Sequence, residues 1–168
     1  ELFSLAAFGD YVRQDDANGG MIGAGGRLLR IIPYRAEIRF LGDNFIPVYF
    51  DAAYDLFRPE KYAVYAGVPG YTTDSYIGWF ASLGLALLDD QIVFNVAMDG
   101  PFNPDPTGGT FAKPHLLANL SLGEGLLGGF SLDATYDKKG IDDFRDLLSP
   151  EDAVIGARLN YRIENAVI

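Results

Sequence analysis

The chain contains no cysteine, which excludes disulfides, thiolate metal ligands and a cysteine nucleophile. Histidine and tryptophan occur once each, and methionine twice. Positive charge is scarce: 13 Lys and Arg stand against 23 Asp and Glu, a net charge of -10, which argues against a nucleic-acid partner. No run of about 18 apolar residues occurs, so no membrane-spanning helix is expected. No secretory leader is recognisable. The glycines at Gly19, Gly20, Gly23, Gly25 and Gly26 lack the strand–loop–helix surroundings of a phosphate-binding loop and fit close β packing instead. The chain opens and closes in strand-like residues (1–3 and 166–168), which gives the expectation of a mature or partial chain.

The residues in surplus are 20 Gly, 12 Phe and 10 Tyr in a length of 168. That load suits β structure. The stretch from Tyr76 to Gly100 reads as two strands joined at Leu88-Asp89-Asp90. Ile77, Trp79, Ala81, Leu83, Leu85 and Leu87 share one face of the first. Ile92, Phe94, Val96 and Met98 share one face of the second. Small and polar residues, among them Ser82, Gly84, Asn95 and Asp99, take the other faces, because side chains alternate along a strand. Strands of roughly ten residues match a tilted crossing of a bilayer.

The same unit repeats. Residues 2–14 and 21–32 form an opening pair around a turn-rich loop at 15–20, with a break at Pro33. Residues 34–41 set Tyr34, Ala36, Ile38 and Phe40 against Arg35, Glu37 and Arg39. Residues 46–56 alternate Ile46, Val48, Phe50, Ala52, Tyr54 and Leu56 with Tyr49, Asp51, Ala53 and Asp55. Residues 61–67 count as a strand because short and long connections then alternate along the whole chain. Strands at 115–122 and 126–137 flank a turn at Gly123-Glu124-Gly125. A charged loop follows at 138–152, with a short helical turn within 141–148. Residues 153–162 form the last full strand, and a further one begins after Asn165. The expectation is an all-β, antiparallel, up-and-down barrel of about eleven strands, a single domain over residues 1–168 and part of a larger barrel.

A soluble barrel and a membrane barrel share this periodicity and differ in which face meets water. Three features favour the membrane form. The polar face combines small residues with charges. The apolar face carries aromatics near strand ends, Tyr11, Tyr34, Trp79, Tyr136 and Tyr161, as lipid-interface anchors would. The connections alternate in length. On these residues the chain resembles bacterial outer-membrane β-barrel proteins. The resemblance covers the whole chain and is architectural. It departs from the family in an odd strand count and in ending at Ile168 instead of an aromatic residue. It implies location in a bacterial outer membrane, contact with its lipid, and association with envelope proteins or further copies.

The role expected from it is a porin-like channel for small solutes. The candidate lumen residues are Arg35, Glu37, Arg39, Asp51, Asp55, Asp99, Asp133, Arg158 and Arg162. Charges on opposite walls would select solutes; the plainer alternative is an ion-pair ladder that fills the lumen. Two other readings are a structural barrel, anchor or adhesin without transport, and a soluble ligand-binding barrel. Enzyme activity, a metal and a cofactor are not expected. His115, Asn119 and Ser121 share a strand face, but Ser121 lies too far along the strand for direct hydrogen bonding to His115. Asp99, Asn103 and Asp105, and separately Asp142, Asp143 and Asp146, lack calcium-loop spacing and read as solvated acidic clusters.

Overall fold

The fold comes from a computed structural model, which describes residues 2–48, 51, 54–104, 113–151 and 153–163. Eight strands pair in chain order into one antiparallel sheet. They are β1 (Ala6–Gln14), β2 (Ala17–Leu28), β3 (Ile32–Leu41), β4 (Tyr76–Leu87), β5 (Ile92–Pro101), β6 (His115–Leu127), β7 (Phe130–Lys138) and β8 (Ala153–Tyr161). Helix α1 (Tyr54–Tyr65) lies within the long β3–β4 connection. Among the described residues β1 and β8 do not pair with each other, so the sheet is open and the expected closed barrel is corrected to an open up-and-down sheet.

The predicted hairpin at 76–100 forms with the expected faces, Leu83 opposite Val96 and Leu85 opposite Phe94. Its turn holds Leu88, Asp89 and Asp90 at φ of 53°, 52° and 63°. Three consecutive left-handed residues are uncommon, because a Cβ resists that conformation. Asp90 is tied down by paired hydrogen bonds from Arg27, each 3.0 Å, which link β2 to this turn.

The expected count of about eleven strands is corrected to eight among the described residues. Residues 46–48 are irregular and 54–65 are helical, so the strand expected at 46–56 is absent; residues 49, 50, 52 and 53 lie outside the described residues. The strand expected at 61–67 is the C-terminal part of α1 and its exit. Phe57, Lys61 and Val64 are its buried stripe, and this spacing of four and three is helical. Pro59 sits within the helix, where it removes one backbone bond. The strand expected after Asn165 lies outside the described residues. Removing two strands from the middle leaves the alternation of connections intact. The β2–β3, β4–β5 and β6–β7 turns are short and lie at one end. The long β3–β4, β5–β6 and β7–β8 loops lie at the other, with the tight β1–β2 turn beside them.

The turn expected at Gly123-Glu124-Gly125 is also displaced. β6 continues through an irregularity between Leu122 and Leu127. The chain reverses at Gly128 and Gly129, φ 61° and 94°, a two-residue loop that needs left-handed backbone at both positions. Gly123 lies instead against Gln91, to whose carbonyl its N–H donates at 2.7 Å. The short helical turn expected within 141–148 is a 3-10 turn at Asp146–Leu148.

The sheet curls around its charged face. Ile46 N donates to the side-chain oxygen Oε1 of Gln14, at the end of β1, at 3.1 Å. Asp51 pairs with Lys139, just beyond β7, at 2.9 Å. A flat sheet would place β1 and β7 about 29 Å apart, six steps of roughly 4.8 Å. One cavity is nonetheless lined from Arg39 on β3 to Asp137 and Lys139 at the end of β7, and Val48 at its wall also lines a second cavity with Asp10 and Val12 of β1, so the sheet is curved. Glycines on the inner face of β2 make room for this packing. A Cβ on Gly23 would stand 2.8 Å from the Ala36 carbonyl oxygen and 2.7 Å from the Phe8 ring. Gly23→Val is expected to destabilise the protein by about 1–3 kcal/mol through overpacking, read as a lowered thermal midpoint.

Candidate functional site

The inner face carries a chain of charges that begins on β3. Glu37 is 4% exposed. One carboxylate oxygen accepts from Arg35, and the other accepts from Arg39 Nε at 2.8 Å. Burial of that carboxylate is tolerated because both oxygens are paired with guanidinium groups. Arg39 continues across β4 to Asp99 on β5, Nη1 to Oδ2 at 3.0 Å. Asp99 stands opposite His115 in register, with Asp99 Oδ1 2.8 Å from His115 Nδ1. His115 Nε2 lies 2.9 Å from Asp137 Oδ1 on β7. One connected network thus spans β3 to β7. Phe80 fills the gap on β4, with the Arg39 guanidinium 4.6 Å and that of Arg35 5.6 Å from its ring centre. Phe8 on β1 stacks on the other side of Arg35 at 4.7 Å.

The β3–β4 loop closes over this network at the long-loop end. Lys61, wholly buried on α1, donates to Asp51 Oδ2 at 2.8 Å and to the Val48 carbonyl at 3.3 Å. Lys139 reaches the same Asp51 oxygen. Burial pushes the Asp51 carboxyl up, but the hydrogen bonds from Lys61 and Lys139 outweigh it and hold the group below its ordinary range. Burial lowers the Lys61 ammonium, and Asp51 opposes that pull. Between loop and sheet lies a cavity of about 440 Å³, lined by Arg39, Tyr76, Phe80, His115 and Asn119 together with Val48 and Asp51 of the loop.

Comparison with known proteins adds nothing to this geometry. A scan against family models, a search of curated proteins and a search of solved structures each found no match.

Of the lumen candidates, Arg35, Glu37, Arg39 and Asp99 fall within the network. Asp51 belongs to the loop latch instead of a strand, and Asp55 lies in the first turn of α1, so both strand placements are corrected. Asp133 accepts from Ser121 Oγ at 2.7 Å and stands opposite Arg158 in register. Arg162 lies beyond β8 at the short-turn end, paired with Glu124 at 3.0 Å. Tyr11, Tyr34, Trp79, Tyr136 and Tyr161 all lie on the outer face by register. That face exposes Ile22, Leu83, Leu159 and Ile155, the last at 71%.

Both His115 nitrogens are engaged by carboxylates, and Ser121 lies six residues along β6, about 20 Å away. The described residues therefore hold no His–Ser pair. Asn119 accepts from Thr135 at 3.1 Å. Asp99 is committed to Arg39 and His115, and Asp105 lies outside the described residues. In the second acidic cluster, Asp143 and Asp146 accept from loop backbone N–H groups and Asp142 pairs with Lys113 at 2.7 Å. Among the described residues no cluster has metal-ligand geometry.

Lys61, Lys139, Phe8 and Phe80 were not among the sequence candidates. The i, i+4, i+7 spacing of Phe57, Lys61 and Val64 was the available signal for Lys61. For Lys139 there was none, since its partner is remote in sequence. His115→Leu removes the partner of Asp137, a carboxylate 2% exposed. The expected destabilisation is about 2–4 kcal/mol, measured by urea unfolding.

Proposed function

We propose that this chain forms the wall of an outer-membrane β-barrel in a bacterial envelope, with its charged face lining a passage for small polar solutes. The observation that carries the reading is the inverted distribution of polarity. Charges are buried on the inside of the curl, while a continuous outer face of aliphatic and aromatic side chains is exposed. Exposed apolar surface of this extent marks an interaction surface, and a bilayer fits one that runs along every strand. Lipid would require the free edges of β1 and β8 to be paired, because unpaired backbone groups are costly there. In an eight-strand meander those two edges run antiparallel, the relation closure needs.

The Arg39–Asp99–His115–Asp137 network and the loop above it form the narrow part of the passage. The network places positive and negative groups on facing strands, which suits discrimination by charge. The test is conductance in planar lipid bilayers. Discrete channel steps with charge preference altered by Arg39→Gln support the reading. A folded, inserted and silent protein refutes transport. It would favour a structural barrel, a reading supported by the mutual pairing of the network charges and by the loop over the mouth.

A further inference from the structure

We infer that the β7–β8 loop is a membrane-surface foot, with Phe144 and Leu148 entering the headgroup–acyl boundary of the bilayer around the barrel. The inference rests on the barrel reading above. The loop leaves β7 on the inner side: Lys139 reaches Asp51, Ile141 is buried, and Ile141 N donates to the Pro114 carbonyl at 3.1 Å. It then crosses the rim. Tyr136, on the outer face of β7, donates its hydroxyl toward the carbonyls of Leu147 and Ser149 at 2.9 and 3.1 Å. Lys138, which shares that outer face by alternation, is 3% exposed, and its ammonium donates to the Glu151 carbonyl. Residues 147–151 therefore lie against the outer edge of β7.

Leu148 lies within this segment and is 86% exposed, and Phe144, between it and the buried Ile141, is 87% exposed, the highest values for large apolar side chains among the described residues. Two large apolar side chains on one short loop beside an exposed apolar strand face extend that face. The acidic groups beside them are occupied: Asp143 and Asp146 accept from loop backbone groups, and Asp142 pairs with Lys113. The Tyr136 hydroxyl marks the level at which an aromatic anchor meets headgroups. The foot continues the apolar outer face at that level, with Ile155 exposed on the neighbouring strand. Apolar side chains at such a boundary bury by roughly 5–10 Å.

The single tryptophan makes the test direct. Trp79, on the outer face of β4, reports whether the strands face lipid. The double variant Trp79→Phe/Phe144→Trp places the only indole on the foot, and Trp79→Phe/Leu148→Trp is the second reporter should the first fail to fold. Each is refolded into phosphatidylcholine vesicles with bromine either near the headgroup or near the acyl-chain end. Folding is checked by heat-modifiable gel migration. The expected result is quenching of Trp79 in the parent protein, and quenching of the foot indole that is stronger for the shallow bromine, with blue-shifted emission. Quenching of Trp79 with unquenched, red emission from both foot reporters overturns this inference and leaves the barrel reading intact; the foot would then be a surface for a protein partner. An unquenched Trp79 in a folded parent overturns both.

Discussion

Asp51→Ala is expected to release the β3–β4 loop from the long-loop end of the sheet. The substitution leaves Lys61, wholly buried, and Lys139 without their shared carboxylate. Removing one partner of a buried pair costs about 3–5 kcal/mol. A loop answers such a cost by opening locally instead of unfolding the sheet. At about 3 kcal/mol the closed-to-open ratio shifts by roughly a hundredfold. Limited proteolysis within 42–75 should accelerate accordingly, and single-channel conductance should rise. The pH dependence has the same sign. Asp51 has its carboxyl held low by Lys61 and Lys139 against the opposing effect of burial. A carboxylate with a lowered folded pKa stabilises fully above its unfolded value, and that stability is lost as pH falls through the folded value. Acid below about pH 4 should therefore open the loop, and Asp51→Asn should show an open loop already at neutral pH. Unchanged proteolysis in Asp51→Ala would refute the latch.

Glu37→Leu is expected to destabilise the sheet itself. Glu37 joins Arg35 to Arg39, and its side chain is fully enclosed. Arg35 is nearly half exposed, so it would recover solvation. Arg39 would keep Asp99 and the Phe80 ring. Two charge-assisted hydrogen bonds are lost, against a modest gain from the apolar replacement. The net expectation is about 2–3 kcal/mol, seen as a lower urea midpoint in micelles with little change in slope. Glu37→Gln, which keeps the shape and loses the charge, should fall between the two.

The strand faces were legible because period-two alternation is a local signal. Arg35, Glu37 and Arg39 facing away from Tyr34, Ile38 and Phe40 required no knowledge of neighbours. Residues 46–65 misled for the same reason. Ile46, Val48, Phe50, Ala52, Tyr54 and Leu56 alternate well, yet Phe57, Lys61 and Val64 carry the helical spacing that forms. The buried contact of Lys61 with Asp51 lies across that stretch and has no strand period. Gly123 and Gly125 looked like a turn, but between β6 and β7 it is the adjacent pair Gly128-Gly129 that supplies two left-handed positions in a row. The network was half legible. The charges could be assigned to one face, but their partners depend on register: Asp99 opposite His115 follows from the β5–β6 pairing, not from either strand alone.

The central claim is that this protein is built inside out, with apolar side chains facing lipid. The most direct measurement is refolding in detergent micelles and in plain buffer, followed by circular dichroism and gel migration with and without heating. A protein with lipid-facing strands gives a β spectrum and a compact, heat-sensitive band in detergent, and aggregates in buffer. A monodisperse, stable β protein in buffer alone would contradict it, and the outer face would then be the core of a soluble assembly.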